Sequence, residues 1–509
     1  MSIEKNLWDA ANQLRANSKL KASEYASPVL GLIFLKFADY KFTLLEKEFS
    51  SKSSKKRKIS KEDYLAKGAM YLNNKARFKY LLQLPEGENI GQRVNEGMKL
   101  IEDDNPDLKD TLPKIYSKLS NSLLVELLRL VDNISKNIEG DAFGKIYEYF
   151  LGKFAMSEGR RGGEFFTPTS LVKLIVEIIE PYEGRIYDPA CGSGGMFVQS
   201  GHFVKKHKSN PSKKISIYGQ EKEEDTVKLN KMNLAVHGLA GDIKQGISYY
   251  EDLHDSINKF DYVMANPPFN VSGVDKEKIK DDPRFPFGIP STDNANYLWM
   301  QIFYSSLKKN GRAGFVMANS ALDANKSELE IRKKFIEAEA VDIIVSVGPN
   351  FFYTVALPCT LCFFDKAKKT TKRSGKILFI DARKIFTEIS RVHNEFTPGQ
   401  IEFLSNIVRL YRGEKVEKKY ESNSLRKTFP KNKYQDVLGF CKVASKNEIK
   451  TNNWSLNPGL YVGIAETKTN NQNSLKNINA LREDLRKLTI EAKDKEEKIF
   501  KHLKKILSK

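Results

Sequence analysis

Hydrophobic residues follow two different patterns along the chain. Up to about residue 140, apolar residues recur three and four positions apart, as at Leu123, Leu127 and Leu130. This is the spacing of an amphipathic helix. Four prolines between positions 28 and 113 are expected to divide the region into several helices. The pattern predicts an N-terminal helical domain over residues 1–140.

Between residues 141 and 365, short apolar runs alternate with amphipathic stretches, which is typical of β-α units. The runs predict seven strands, at 185–187, 215–219, 243–246, 260–265, 314–318, 341–347 and 359–364. The last two are too close for a crossover helix, so the last strand is expected to be antiparallel. The predicted fold class is α/β, with a Rossmann-like, seven-stranded, mostly parallel sheet.

Residues 376–381 continue the α/β pattern, and 412–450 are basic with little pattern. From residue 478 onward, Leu481, Leu485 and Leu488 lie on a heptad-like stripe. The stripe predicts a C-terminal amphipathic helix over residues 466–509, after a domain spanning 141–465. Packing on its own domain and binding another protein are equally compatible with it.

The composition indicates the kind of partner and the cellular compartment. The 509 residues include 84 Lys+Arg and 64 Asp+Glu, a net charge of +20 that indicates a polyanionic partner. More than half of the excess lies beyond residue 400. The apolar run Val29–Leu35 is too short to span a membrane, and four cysteines fit a reducing compartment. We expect a cytoplasmic protein without a membrane partner.

A glycine-rich turn follows the first predicted strand. Residues 188–195 read Asp-Pro-Ala-Cys-Gly-Ser-Gly-Gly, and a helix is predicted after them. Such a turn brings backbone N–H groups close to a ligand, but many nucleotide-binding enzymes share it. Neither G-x-G-x-x-G nor a P-loop is present. Glu221, at the tip of the second strand, is suited to accept hydrogen bonds from ribose hydroxyls, whereas Glu223 and Glu224 are better explained as residues of a helical first turn.

The strongest motif follows the strand at 260–265 and reads Asn266-Pro267-Pro268-Phe269. The prolines hold the backbone extended and leave the Pro267 carbonyl and the Asn266 side-chain oxygen as acceptors. An exocyclic amine has two hydrogens for such a pair, and Phe269 can stack on the ring that bears it. The motif suits the N6 amine of adenine and the N4 amine of cytosine.

With these residues, the chain resembles the amino-methyltransferases that use S-adenosylmethionine. More narrowly, it resembles the modification (methylase) subunit of type I restriction–modification systems, an N6-adenine DNA methyltransferase. Further matching stretches are Gly163–Pro168, Asp282–Phe285, Phe287–Gly288, Leu456–Asn457 and Tyr461.

The resemblance implies a set of site residues. The catalytic residues would be Asn266, Pro267, Pro268 and Phe269. The residues that bind S-adenosyl-L-methionine would be Glu164, Phe165, Phe166, Thr167, Pro168, Thr169, Asp188, Gly192, Ser193, Gly194, Gly195 and Glu221. No metal site is expected, because Cys359 and Cys362 lie within one strand and are better explained as core residues.

Two positions stay open. The family often has Gly-Asp-Thr-Leu after the third strand, where this chain has Gly246-Ile247-Ser248. Either the loop is shifted and Asp252 or Asp242 takes that role, or the contacts to the adenine ring of the cofactor differ on that side. Phe352 and Tyr353 could stack on a flipped base or pack in the core.

The resemblance also implies partners. About 45 residues follow the catalytic domain, too few for a domain that reads bases. A separate specificity subunit is therefore expected, with two methylase subunits to each, together with double-stranded DNA and a restriction/translocase subunit. The alternatives are a stand-alone adenine or cytosine DNA methyltransferase, a protein-glutamine methyltransferase and an inactive scaffold. A Tyr at position 269 would favour the glutamine enzyme, and loss of Asn266 would favour the scaffold; neither is present.

Overall fold

The computed structural model describes residues 3–18, 22–52, 59–85, 87–133, 142–158, 167–352, 356–420, 423–464 and 471–507. The chain forms two compact units, Met1–Val462 and Gly463–Lys509. Among the described residues, every helix is either too short or too polar to cross a membrane.

Helices make up the first part of the larger unit. In the described residues they are α1 (Ile3–Ser18), α2 (Ala22–Lys52), α3 (Lys61–Ala66), α4 (Phe78–Leu82), α5 (Ile90–Asp104), α6 (Asn121–Asp132) and α7 (Ala142–Glu158). They share one hydrophobic core, to which α7 contributes Phe150 and Phe154. α7 lies beyond residue 140 and packs against α2. The domain boundary near that residue stays a prediction.

The prediction that Pro28 divides two helices is wrong. Pro28 lies inside α2, near its N-terminus. A proline there removes only one main-chain hydrogen bond, and burial of the helix outweighs that loss, since Leu30, Leu32 and Phe34 are fully buried. The Pro28 carbonyl also accepts a hydrogen bond of 3.0 Å from the Tyr116 hydroxyl.

A large sheet follows. The strands of the described residues are β1 (Gly184–Asp188), β2 (Ile215–Glu221), β3 (Gly241–Gln245), β4 (Phe260–Ala265), β5 (Leu307–Ala318), β6 (Val341–Val347), β7 (Cys359–Asp365), β8 (Lys376–Asp381), β9 (Thr387–Ser390), β10 (His393–Glu395) and β11 (Cys441–Ser445). All but β9 and β10, which pair as a hairpin, form one sheet in the order β11-β8-β6-β7-β5-β4-β1-β2-β3. The α/β class is confirmed.

The predicted count of seven strands is wrong, because this sheet has nine. The additional strands are β8, where the sequence continues the α/β pattern, and β11, which lies in the weakly patterned basic region. β11 is an edge strand in which only Cys441 and Ala444 are buried, so it has no continuous apolar run. The antiparallel β7 was anticipated and pairs with β5 and β6. β11 is antiparallel to β8 as well.

The remaining helices are α8 (Thr169–Ile179), α9 (Gly195–Lys206), α10 (Pro211–Lys214), α11 (Glu224–Val236), α12 (Asn296–Ser306), α13 (Ser327–Glu337), α14 (Pro398–Arg412), α15 (Asn423–Thr428), α16 (Lys446–Thr451) and, in the smaller unit, α17 (Asn471–Leu507). Two apolar layers cover the two faces of the sheet. In β4, Met264 faces the layer of α8, α9 and α14, while Val263 and Ala265 face that of α12 and α13. Cys359 and Cys362 divide in the same way, and both are buried free thiols, as predicted.

The order in which strands are added to the sheet reverses at β1. β2 and β3 extend the sheet on one side of β1, and β4 then pairs with its other side. All four strands are parallel, so their carboxyl ends lie at one edge. Doubly wound sheets bind ligands at such a reversal point.

Candidate active site

The glycine turn after β1 has one open side. Gly192 and Gly194 have φ angles of +48° and +84°, a conformation that L side chains rarely adopt. A Cβ atom added to Gly192 or Gly195 would meet no atom within 4 Å. One added to Gly194 would lie 2.9 Å from Asn230 Oδ1. The turn is therefore packed against α11 at Gly194 and open at Gly192 and Gly195.

Two asparagines of α11 hold this turn. Asn230 Nδ2 donates to the Gly192 carbonyl at 2.8 Å, and Asn233 Nδ2 donates to the Ser193 carbonyl at 2.7 Å. Both side chains are buried. The motifs in the sequence do not include these two residues, although two asparagines three positions apart among the apolar residues of a helix are a usable signal.

Glu221 at the end of β2 also contacts the turn. Its Oε2 accepts a hydrogen bond of 2.9 Å from the Gly192 amide, and its Oε1 accepts from the amides of Lys222 and Glu223 at 2.8 and 3.2 Å. Glu223 and Glu224 are exposed at the start of α11, where Glu224 pairs with Lys228 at 2.7 Å. Of the three acidic residues considered, only Glu221 is hydrogen-bonded to the glycine turn.

Asp188 ends β1 beneath the turn. It is 2% exposed, and its Oδ1 accepts a hydrogen bond of 2.9 Å from the Ala190 amide. Burial raises the pKa of Asp188 well above its usual range, and the negative charge of Glu221 acts in the same direction. The site thus has two acidic groups of different character, one buried in the sheet and one bonded to the turn.

Part of the predicted cofactor-binding segment 164–169 also lies next to the glycine turn. Thr167 and Thr169 line a small cavity together with Ser193 and Gly195. Pro168 between them is the N-cap residue of α8. Glu164, Phe165 and Phe166 lie outside the described residues. The structure thus brings the described end of the segment to the glycine turn.

Asn266 to Phe269 follow β4 at the same edge of the sheet. Tyr187 of β1 pairs with Val263 of β4, so the glycine turn and this loop leave neighbouring strands side by side. Pro267 is buried, and Asn266, Pro268 and Phe269 are half-buried.

Phe352 meets this loop from the core. Its side chain is 3% exposed, and its ring contacts Phe269 edge-on, with centroids 6.3 Å apart and planes at 89°. Phe352 is thus a core residue in contact with the predicted catalytic loop. Tyr353 lies outside the described residues.

A second asparagine pair supports the end of the loop. Asn270 has a left-handed φ of 54°, and its amide donates to Asn296 Oδ1 at 2.9 Å. Asn296 Nδ2 returns a hydrogen bond of 2.9 Å to Asn270 Oδ1. Asn296 is buried in the first turn of α12. No motif in the sequence points to Asn296, because it lies 26 positions from Asn270.

The loop after β3 is held by a buried arginine. Arg284 is 2% exposed, and its guanidinium donates to the carbonyls of Ser248 at 2.8 Å and Tyr249 at 3.2 Å. Asp282 pairs with it at 2.6 Å. The Ser248 hydroxyl in turn donates to the Pro189 carbonyl at 2.5 Å, next to the glycine turn. Arg284 therefore ties the matched Asp282–Phe285 stretch to the site.

The two carboxylates considered for this loop have other contacts. Both Asp252 oxygens accept hydrogen bonds from the Ser256 amide, at 2.9 and 2.8 Å. Asp242 lies near the start of β3, away from the carboxyl edge, with Lys244 Nζ at 3.5 Å. The role of the strand-three loop stays a prediction.

A glycine turn, an acidic strand end and an Asn-Pro-Pro-Phe loop thus meet where a doubly wound sheet reverses. This combination defines a class, the α/β amino-methyltransferases.

Comparison with known proteins identifies the family. The model of the N-6 DNA Methylase family matches residues 138–470, and that of the HsdM N-terminal domain matches residues 3–131. The chain is 39% identical to the type I restriction enzyme MjaIX methylase subunit of Methanocaldococcus jannaschii, over 99% of this chain and 91% of that protein. It is 36% identical to the HindI methylase subunit of Haemophilus influenzae, over 75% and 86%.

A solved structure agrees at the level of the fold. The type I restriction-modification system methyltransferase subunit from Streptococcus thermophilus superposes with a TM-score of 0.72 at 22% identity, over 91% of this chain and 99% of that one. The chain belongs to the N-6 DNA methylase family, as the methylase subunit of a type I restriction enzyme, and is an adenine-specific DNA methyltransferase.

Proposed function

We propose that the chain transfers a methyl group from S-adenosylmethionine to adenine N6 in double-stranded DNA, with the cofactor on the β1–β2 side of the sheet edge and the target amine at the β4 loop. The observation that carries this division is the pairing of β1 with β4, which sets the two loops next to each other. The two reactants must lie within about 3–3.5 Å for transfer, so neighbouring loops are required.

The residues present fit the cofactor. The open side of the turn at Gly192 and Gly195 leaves room for a ligand against the backbone. Glu221 would accept from the ribose hydroxyls, while Asp188, Ser193 and Gly194 shape the turn. The remaining predicted contacts are Glu164, Phe165, Phe166, Thr167, Pro168 and Thr169. When bound, S-adenosylmethionine supplies an electrophilic methyl group on its sulfonium.

The β4 loop would bind the target amine. The side-chain oxygen of Asn266 and the carbonyl of Pro267 accept its two hydrogens, which directs the nitrogen lone pair toward the methyl group. Pro268 holds the backbone extended, and Phe269 stacks on the adenine ring. The base must leave the duplex first, at a cost of a few kcal/mol. Positioning and electrostatics then carry the catalysis, without a covalent enzyme intermediate.

Sequence specificity would come from a separate subunit, one for two copies of this chain, and the full complex would include a restriction/translocase subunit. In this proposal residues 1–140 clasp the DNA, 141–465 carry the transfer site and 466–509 dock on the specificity subunit. The Leu481, Leu485 and Leu488 stripe is exposed along α17, as a docking face requires. The positive charge would add salt-sensitive, sequence-independent binding to DNA.

The test measures transfer of labelled methyl groups to DNA, with and without the co-expressed specificity subunit, followed by nucleoside analysis. We expect N6-methyladenine, at specific sites only when both subunits are present. Label in N4-methylcytosine or in protein would contradict the assignment. Site-specific transfer by the chain alone would contradict the separate specificity subunit.

The docking proposal has its own test. Leu485→Lys together with Leu488→Lys should prevent co-purification with the specificity subunit, because two charges would enter the apolar stripe. Lys487→Gln, on another side of the same helix, is the matched control and should still co-purify. Equal co-purification of both variants would contradict docking through this stripe.

A further inference from the structure

Three side chains of metal-ligand type meet on three helices, beside the small cavity of Thr167 and Ser193, which Glu148 also lines. Glu148 lies on α7, His202 on α9, and His237 caps the end of α11. One ligand atom from each lies within 4.8 Å of the other two. His237 Nε2 is 3.1 Å from Glu148 Oε1, and the two imidazole centroids are 5.4 Å apart. The His237 side chain is 1% exposed and that of Glu148 is 25% exposed, so the cluster can be reached from solvent along Glu148.

Hydrogen bonds determine which nitrogen of each ring carries the lone pair. His237 Nδ1 is 2.8 Å from the Asn233 carbonyl oxygen, which can only accept, so Nδ1 carries the proton. In the neutral ring, Nε2 then presents its lone pair toward Glu148.

The contact with Gln199 determines which nitrogen of His202 carries the proton. Its Nε2 faces the two carboxylate oxygens of Glu148 at 3.5 and 3.4 Å, so its Oε1 is the atom that faces His202 Nδ1, at 3.4 Å. His202 Nδ1 therefore donates to Gln199, and the lone pair of this ring is also on Nε2.

The three side chains of this cluster require a positive charge between them. A lone pair on His237 Nε2 and a carboxylate oxygen 3.1 Å away repel each other unless a positive charge lies between them. A proton on His237 would meet that need for one pair only. A metal ion would engage all three side chains, and a partner oxygen on each Nδ1 is the usual surrounding of metal-bound histidines.

We propose that Glu148, His202 and His237 bind a divalent transition-metal ion, with Zn²⁺ the expected ion. Two imidazole nitrogens and one carboxylate oxygen form a common zinc ligand set, which leaves a fourth position for water. The ion connects α7 of the helical region to α9 and α11. α11 also carries Asn230 and Asn233, which bind the glycine turn. The metal ion would therefore fix this helix against α7. This inference is independent of the proposed division between cofactor and target.

The test uses the full chain without a histidine tag. After chelation and dialysis against zinc, we expect one zinc per chain by mass spectrometry and a higher melting temperature than in the chelated protein. Cobalt in place of zinc should give visible d–d bands without a thiolate charge-transfer band, because all four cysteines are buried outside the cluster. One equivalent of iron or nickel in the protein as purified would also support the metal site, with a different ion from the one we expect.

Variants locate the ion. His237→Gln and Glu148→Gln should lose it, and Gln199→Met should weaken its affinity about 10–100-fold by removing the partner of His202. His207→Gln is the matched control, since His207 follows α9 and pairs with Glu417 at 3.1 Å. Absence of zinc from the wild-type chain, with an unchanged melting temperature, would overturn the proposal even if the variants fail to fold. Zinc retained by folded His237→Gln with wild-type affinity would overturn it as well.

Discussion

The two sides of the sheet edge are built differently. On the β1–β2 side, the glycine turn is held by polar bonds to other elements: Glu221 accepts from Gly192, and two asparagines of α11 donate to its carbonyls. On the β4 side, two prolines without N–H groups shape the loop, Phe269 packs on Phe352, and the Asn270–Asn296 pair follows. The first side is a preformed backbone surface, and the second is a short rigid loop that presents a few groups. Substitutions on the two sides should therefore have separable effects.

The largest effect is expected at Asn266. Asn266→Ala should lower the rate of methyl transfer at least about 100-fold, because it removes one of two acceptors for the target amine. Affinity for S-adenosylhomocysteine, measured by calorimetry, should stay near that of the wild type. Asn310→Ala, near the start of β5 at the opposite edge of the sheet, is the control and should change neither quantity. Joint loss of cofactor binding and transfer in Asn266→Ala would break the comparison.

Glu221→Gln tests the other side. It replaces a carboxylate that accepts from the Gly192 amide, and we expect cofactor affinity to fall about 10–100-fold, the range for hydrogen bonds to a charged group. Transfer at saturating cofactor should fall less. Glu223→Gln is the neighbouring control, because that side chain is exposed. An unchanged cofactor affinity in Glu221→Gln would remove this residue from the cofactor side.

Asn296→Ala tests whether the Asn270–Asn296 pair supports the β4 loop. It removes the partner of the Asn270 amide and side chain, which should lower the free energy of unfolding by about 1–2 kcal/mol and slow transfer. Cofactor affinity should be preserved. Denaturant titration, labelled transfer and calorimetry measure the three quantities. Asn294→Ala loses a bond of 3.1 Å to Asn270 Oδ1 and one of 2.9 Å from the Asn296 amide. Because Asn294 is only half-buried, its effect should be smaller. Reduced cofactor affinity in Asn296→Ala would show that the two sides are coupled.

The smallest expected effect is a dependence on pH. Burial raises the pKa of Asp188, so the folded protein keeps this proton at pH values where the unfolded chain has lost it. The free energy of unfolding should therefore fall as pH rises from about 4, the ordinary aspartate value, toward the raised pKa. In Asp188→Asn this contribution disappears. Denaturant titrations across that range, without cofactor, compare the two proteins, and identical slopes would contradict a raised pKa.

The two candidate loops could be recognised in the sequence because the information in their motifs is local. The glycine turn and the Asn-Pro-Pro-Phe loop are each continuous in sequence, and their places at strand ends follow from the apolar runs before them. The residues that hold these loops were missed. Asn233, Asn296 and Arg284 act on carbonyls or amides that are between 26 and 40 positions away.

The strand count failed for a related reason. A central strand such as β6 is buried along its whole length and is visible as an apolar run. β11 lies at the sheet edge, needs few apolar residues and takes its place by pairing with β8, about 65 positions earlier.

The amino-acid sequence was sufficient for the class of fold, the family and the two motifs, because hydrophobic periodicity and continuous motifs depend on neighbouring residues. Three features required the folded chain: the adjacency of β1 and β4, the asparagines behind the loops, and the meeting of Glu148, His202 and His237. The residues of this last cluster are 54 and 35 positions apart, on three different helices. Contacts at such separations depend on how elements pack, and the spacing of residues along the chain carries no record of that packing.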